Sequence, residues 1–208
     1  ERLSGRTGPA LDPCGALHVK FNLAPGQERI ISFRLGLGRD TDEARRLAVH
    51  SRGETAAASA ISKVWQYWNK TLGTVHVETP DQSFNMLANG WLVYQSLSCR
   101  FWGRSATYQS GGAFGFRDQL QDSLSLLYSD PTLIRKHLLL SAEHQFVEGD
   151  AMHWWHPPGN RGVRTRCSDD YLWLPYVTEK YVTVTGDWSV LDEETAFIQG
   201  RPLRADEA

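Results

Sequence analysis

The chain has 208 residues, 22 of them basic and 24 acidic, for a net charge of −2. That balance excludes general nucleic-acid binding, which needs a strong basic excess. At this length one domain or parts of two are expected. No window holds about 18 consecutive apolar residues, so no membrane segment is expected. Three widely spaced cysteines, Cys14, Cys99 and Cys167, show no metal-ligand spacing and predict a reduced, cytoplasmic setting rather than a disulfide framework.

Residues 1–40 read as strand and loop. His18 to Leu23 alternates polar and apolar residues, Pro25-Gly26 makes a turn, and Arg29 to Leu37 alternates again apart from the Ile30-Ile31 doublet. This predicts a hairpin of an antiparallel sheet, which needs further strands because an isolated hairpin is marginal in water. Thr41 to Leu72 reads as helical, starting at Thr41-Asp42-Glu43 with an N-cap and an acidic first turn. After Gly53, Ala57, Ile61, Val64, Trp65 and Trp68 recur at helical spacing, and Gly73 closes the segment.

Thr74 to Glu78 resembles a short strand. Thr79-Pro80-Asp81-Gln82 then predicts a helix start, with Thr79 as N-cap, Pro80 at the first helical position and Gln82 completing a capping box. Phe84, Leu87, Trp91, Tyr94, Leu97 and Phe101 mark one face of that helix. A glycine-rich stretch over 103–115 interrupts it, and further helices are expected at about 118–128 and from Asp130-Pro131 to about Val147, with Gly149 as the stop. A long polar loop is expected over 150–167, then a helix from Ser168 to Thr185 ended by Gly186, with Pro175 kinking it or delaying its start. Helices joined alternately by short turns and long loops suggest an α-helical barrel or toroid with the loops gathered at one end. The β part lacks partner strands and the α part lacks closing helices, so the expectation is a piece of a larger protein.

The run Tyr-Gln-Ser-Gly-Gly-Ala-Phe-Gly-Phe-Arg-Asp-Gln-Leu-Gln-Asp (108–122) joins glycines, aromatics and an Arg-Asp pair. Flat apolar faces beside forked donors and acceptors suit a sugar ring, so Tyr108, Gln109, Arg117 and Asp118 are candidate binding residues. The competing reading of Asp118 is a helix N-terminus, where a carboxylate satisfies free N–H groups. Asp122, one turn on, either shares acid and base roles with Asp118 or holds a neighbouring arginine, the second being favoured.

A second run, His153-Trp154-Trp155-His156-Pro157-Pro158, supplies the candidates Trp154, Trp155 and His156. One tryptophan is read as a core anchor and the other as a sugar-stacking platform, in an order the sequence leaves open. Pro157-Pro158 stops any helix carrying His153 and His156, and no metal-binding motif exists, so no metal is expected. Arg161, Arg164 and Arg166 form a cationic cluster that either receives an anion or pairs with Glu148, Asp169 and Asp170. Ser110, Ser168 and Cys167 lack the context of a nucleophile.

These two runs, together with Glu148-Gly149-Asp150 and the stretch from Arg161 to Pro175, resemble glycoside hydrolase family 94. That family holds inverting disaccharide and oligoglucan phosphorylases and the C-terminal part of cyclic β-1,2-glucan synthetases. The resemblance spans roughly residues 15–204. It implies a mixed fold: the end of an antiparallel β-sandwich over 1–40, a helical linker over 41–74, and the first part of an (α/α)6 barrel over 75–208. It implies that Arg117 and Asp118 line the donor-sugar subsite, with Trp154 or Trp155, Arg164, Arg166, Asp169 and Asp170 as further cleft residues. Cellobiose-type members carry an arginine six residues before that aspartate. Gly112 stands there here, which favours the oligoglucan and cyclic-glucan side of the family.

The family's general acid lies in a Gly/Ala-Asp-Trp-Asn-Asp motif. Gly186-Asp187-Trp188-Ser189 begins like it but lacks the Asn-Asp, so no catalytic residue is assigned and the acid is expected after residue 208. The implied activity is inverting phosphorolysis or glycosyl transfer on β-glucans. Phosphate or glucose 1-phosphate would be co-substrate, with no other cofactor, and the fragment alone would be inactive. The resemblance allows a homodimer, and a parent tethered to the inner membrane if it is a cyclic-glucan synthetase. The alternatives are a non-catalytic glucan-binding module and an inverting hydrolase using Asp118 or Asp122.

Overall fold

The structure, a computed structural model, describes residues 4–6, 8–12, 14–105, 107 and 110–207. The chain divides into two compact units, 1–62 and 63–208.

In the first unit no strand forms among the described residues. The expected hairpin is present only as extended chain around a turn at Pro25-Gly26, where Gln27 N donates to the Ala24 carbonyl at 3.0 Å. The reason is visible in exposure: Leu17, Val19, Phe21 and Leu23 on one arm, and Ile30, Phe33, Leu35 and Leu37 on the other, all lie open. Alternation makes an apolar face, but the face needs a second layer before a ladder repays the entropy of ordering. Helix α1 (Thr41–His50) follows, capped by Asp40, whose side chain accepts from Glu43 N, so the cap lies one residue before the expected start. Arg34 reaches back to this helix, donating to the Ala48 carbonyl at 3.1 Å. Helix α2 (Glu54–Leu72) begins after Gly53 and carries residues of both units.

In the second unit the strand expected at Thr74–Glu78 is replaced by a side-chain arrangement. Asn89 accepts from Val77 N at 2.7 Å and donates to Val77 O at 2.8 Å, and Asn85 treats Thr79 likewise at 2.9 and 2.8 Å. Each amide does what a neighbouring strand would do for a backbone unit. Thr79 is thereby drawn to Asn85, and the helix cap moves to Asp81, which accepts from Ser83 N and Phe84 N. The helix that follows is α3 (Gln82–Met86), a π-helical turn (Leu87–Trp91), α4 (Leu92–Gln95) and a second π segment (Ser96–Trp102). Of its expected apolar face only Leu97 and Phe101 are buried; Phe84, Leu87, Trp91 and Tyr94 are exposed.

Strand β1 (Phe114–Gly115) leads directly into helix α5 (Phe116–Ser123), which ends in a 3-10 turn at Leu124–Leu126. Helix α6 (Pro131–Ala142) has Asp130 as N-cap and Pro131 in its first turn. It stops short of Val147 because the chain turns back there: Phe146 N donates to Asp150 O at 2.8 Å across Gly149, whose φ is +94°. The polar stretch expected as loop forms a hairpin instead, β2 (Met152–His156) with β3 (Arg161–Arg164). The three strands make one antiparallel sheet, β1-β2-β3. Gly162 is obligatory in it, since a Cβ there would lie 2.0 Å from Trp154 O. Helix α7 (Asp170–Thr185) keeps Pro175 within it and ends on Gly186, at φ +71°. A 3-10 turn (Trp188–Asp192) follows.

Helices α5, α6 and α7 pack against one another, and α5 also packs on β2. Phe116, Leu120, Leu126, Ile134, Leu138, Trp155 and Val177 are at the heart of the shared core, where Leu97 and Phe101 join them. No helix is long and apolar enough to cross a membrane, among the described residues.

Candidate functional site

The site begins at the strand-to-helix corner. Phe114 pairs with Trp155 and Gly115 with Trp154, so β1 runs along β2 before the chain enters α5. Gly115 is the N-cap and has no side chain to offer. The fully buried Gln119 caps the corner in its place. Its Oε1 accepts from Gly115 N and its Nε2 donates to Ala113 O. Arg104 donates to Gly112 O at 3.0 Å and holds the glycine-rich turn from the other side. Arg117 and Asp118 thus occupy the first turn of α5, where backbone N–H groups favour anions and hydroxyl oxygens.

Asp118 lines two adjoining hollows. One, of about 320 Å³, is bounded by Gly111, Ala113, Gly115, His153, Trp154 and His156. The other, of about 480 Å³, is bounded by Arg117, Gln121, Asp122, Asp169 and Trp173. Both volumes suit a small polar ligand. A larger hollow, about 630 Å³, runs beside α7 between Tyr171, Leu174, Val182, Trp188 and Leu191. It is mostly apolar and lacks the convergent donors and acceptors that mark a specific site.

The side chains around Asp118 are held from behind. Arg117 donates to Asp169 at 2.8 Å and lies 3.6 Å from Asp118. Asp169 also accepts from the Cys167 thiol at 2.9 Å. The Cys167 and Arg117 hydrogen bonds hold its carboxyl down at about 2, and the bond to Asp169 raises the Arg117 guanidinium. Asp170, 3 % exposed, is 2.8 Å from His153 Nδ1. Burial raises its carboxyl above the usual range, against the opposing effect of His153.

The two tryptophans separate cleanly. Successive side chains of a strand point to opposite faces. Trp155 is 1 % exposed, stacked on His144 with ring centroids 3.9 Å apart, and belongs to the core. Trp154 lines the smaller hollow and meets His156 edge to face at 5.4 Å.

Arg164 and Arg166 line neither hollow. Arg164 forks onto Asp150, at 2.5 and 2.6 Å, and reaches Glu148 at 2.9 Å with its guanidinium over the Phe146 ring. Arg166 donates to Leu203 O. Asp122 is ion-paired with the buried Arg100. Tyr108 and Gln109 lie outside the described residues.

Three further residues, His153, Gln121 and Trp173, join the hollows although residue type and spacing do not mark them as sugar-binding. His153 stands out in the sequence only as a possible metal ligand, and its neighbour Trp154 carries the signal that points to it. His153, Cys167 and Asp170 place one ligand atom each within 4.8 Å of one another, a spacing open to a metal ion. Hydrogen bonds already engage them, His153 with Asp170 and Cys167 with Asp169.

Known proteins share this sequence in both units. The family model described as glycosyl hydrolase 94 superfamily, catalytic domain, matches residues 67–202, and that described as glycosyl hydrolase 94, supersandwich domain, matches residues 1–54. The cyclic beta-(1,2)-glucan synthase NdvB of Rhizobium meliloti is 44% identical over 201 residues, 97% of this chain and 7% of its own length. The N,N'-diacetylchitobiose phosphorylase of Vibrio proteolyticus is 28% identical over 227 residues, covering 96% of this chain and 28% of the relative. The 3-O-beta-D-glucopyranosyl-beta-D-glucuronide phosphorylase of Paenibacillus borealis is 28% identical over 203 residues, 94% of this chain and 25% of the relative. The chain therefore spans well under a third of each of these relatives.

Proposed function

This chain belongs to the glycosyl hydrolase 94 superfamily, and from that premise we propose that it is part of an inverting β-glucan phosphorylase or glycosyltransferase. Residues 1–40 would be the end of its β-sandwich, 41–74 a helical linker, and 75–208 the first part of an (α/α)6 barrel. The observation that carries the reading is the placement of Asp118 on two polar hollows, beside a guanidinium fixed by Asp169 and the ring of Trp154.

In this reading Arg117 and Asp118 grip the donor glucose and Trp154 covers a sugar face. A phosphate oxygen attacks the anomeric carbon from the side opposite the leaving oxygen. The C1–O glycosidic bond breaks as the C1–O–P bond forms, and a carboxylic acid supplied from outside these 208 residues protonates the departing oxygen. Phosphate is already a nucleophile, so no protein base is needed. Glucose 1-phosphate is the product, or the donor in the reverse direction, and no further cofactor is invoked. A β-1,2-linked oligoglucan is the proposed substrate, supported by Gly112 in place of an arginine and by the NdvB similarity. The thiols of Cys14, Cys99 and Cys167, all unpaired to one another, fit a reducing cytoplasmic compartment.

Of the alternative, hydrolysis using Asp118 or Asp122, the Asp122 form is less well supported, because Asp122 is ion-paired with Arg100. The test is to incubate the full-length protein with β-1,2-linked glucooligosaccharide and inorganic phosphate and follow products by phosphorus and proton NMR. Phosphate-dependent release of α-glucose 1-phosphate is expected. Free glucose released without phosphate would overturn the reading in favour of hydrolysis.

A further inference from the structure

We propose that Asp170 acts on the donor sugar through His153: the buried carboxylate accepts the hydrogen bond of Nδ1–H and so leaves Nε2 as an acceptor in the hollow that Asp118 also lines. The proposal rests on the sugar-binding reading of the Asp118 cavity and gives that cavity an acceptor that no sequence motif marks.

The geometry is specific. Asp170 heads α7 and is 3 % exposed, whereas His153 is on β2 with its side chain one-third exposed and lining the hollow that Asp118 lines. The Nδ1 edge is turned to Asp170 at 2.8 Å. The two ring nitrogens lie on opposite edges of an imidazole, so Nε2 is the nitrogen available to the hollow. A ring held this way cannot rotate without leaving a buried carboxylate unpartnered, and Asp170 Oδ1 already has no hydrogen-bond partner. The charged groups around the pair are Asp169 and Arg117 on one side and Asp118 on the other, with the Cys167 thiol nearby.

The chemistry follows from counting. A glucose ring offers hydroxyls that each donate one hydrogen bond. Asp118 accepts but cannot donate when ionised, and Arg117 donates but cannot accept. Nε2 adds an acceptor of fixed direction, on the ring edge away from the carboxylate that orients it. It therefore discriminates sugars by the position of a hydroxyl, as a fixed acceptor does where a charge of diffuse reach does not. Asp170 is a positioning residue, and His153 is the group that touches the sugar.

The test is a double-mutant cycle in the full-length protein, read as glucose affinity from Trp fluorescence in the absence of phosphate, so that it reports the sugar subsite independently of phosphorolysis. His153→Ala is expected to weaken glucose binding about tenfold, in line with loss of one well-placed hydrogen bond. Asp170→Asn is expected to weaken it to a similar extent alone and to add nothing in the His153→Ala background. Additive losses would mean that Asp170 acts on the sugar by another route, and unchanged affinity in His153→Ala would remove the histidine; either overturns the proposal. Glucose affinity that falls with a chelator would also overturn it, since His153 and Asp170 would then be ligands of an ion. His153→Ala is at a partly exposed position and keeps the test open should Asp170→Asn fail to fold. A protein that phosphorolyses nothing but shows this cycle would sink the proposed function and leave the inference standing.

Discussion

Arg117 and Asp169 meet at 2.8 Å across 52 residues of sequence, joining the first turn of α5 to the residue before α7. A guanidinium tied through one nitrogen keeps its remaining N–H groups for a ligand. The pair is thus an aiming device for Arg117 more than a stabilising contact, because both side chains are about two-fifths exposed and such pairs contribute about 1 kcal/mol or less.

Asp169→Asn is therefore expected to leave the denaturation midpoint nearly unchanged while weakening glucose affinity about fivefold, the scale of one oriented charge-assisted hydrogen bond. Equilibrium binding set beside a urea titration checks both halves. Because the Asp169 carboxyl is held at about 2, the pair persists above the ordinary carboxylate range and is lost only as pH falls through about 2.

The two adjacent tryptophans should part company on mutation. Trp155→Ala empties a fully enclosed site beside His144 and Phe114 and is expected to cost about 3–5 kcal/mol. Trp154→Ala removes a wall of the smaller hollow, and its main effect should be on glucan affinity. Equal stability losses from both would contradict the placement of the ring pair.

Arg164 is expected to behave as a structural residue. Its side chain is 10 % exposed and forked onto Asp150, so Arg164→Ala leaves a buried carboxylate without its partner and should cost about 3 kcal/mol. Arg164→Lys should rescue poorly, since a point charge cannot reproduce two parallel N–H bonds. Chemical denaturation of the three proteins decides this.

His137 makes stability depend on pH. Burial, with His144 nearby, lowers its pKa from 6.5 to about 4. The unfolded chain therefore binds more protons than the folded one between these values. Stability is complete above about 6.5 and is lost as pH falls toward 4, by up to about 3 kcal/mol on the usual conversion. His137→Gln should flatten that part of the curve. A wild-type profile already flat from pH 7 to 4 would exclude a neutral buried His137.

Gly162→Ala is expected to open the β2–β3 hairpin, because its Cβ would meet Trp154 O at 2.0 Å and Met152 Sδ at 2.6 Å. An overpacking cost of about 1–3 kcal/mol and a shift of the Trp154 fluorescence should accompany each other.

Much of the second unit is legible in the sequence because helix punctuation is local. Asp130-Pro131 and Gly186 carry their start and stop signals in their own side chains and φ preference, and both helices are found there. The hairpin at 152–164 is not legible, since Pro157-Pro158-Gly159 reads as loop and its strands are short and polar or aromatic. β3 pairs only with β2, and β2 pairs on its other edge with β1, about 40 residues away, a contact that no local pattern encodes. The Arg117–Asp118 corner is readable from residue types alone. The partners that hold it, Gln119, Asp169 and the His153–Asp170 pair, depend on how β1, β2, α5 and α7 come together.

That dependence has a consequence for the timing of assembly. Arg117 and His153 are both synthesised before the residues that fix them, Asp169 and Asp170 at the head of α7. A nascent chain that has made α5, α6 and the hairpin but not yet α7 holds Arg117 and His153 without their anchors. Because Asp169 and Asp170 stand at the head of α7, the contacts that fix Arg117 and His153 are complete only when that helix has docked. A chain stalled before that point has the aromatic and glycine framework of the hollows but not the two carboxylates that hold Arg117 and His153 in place.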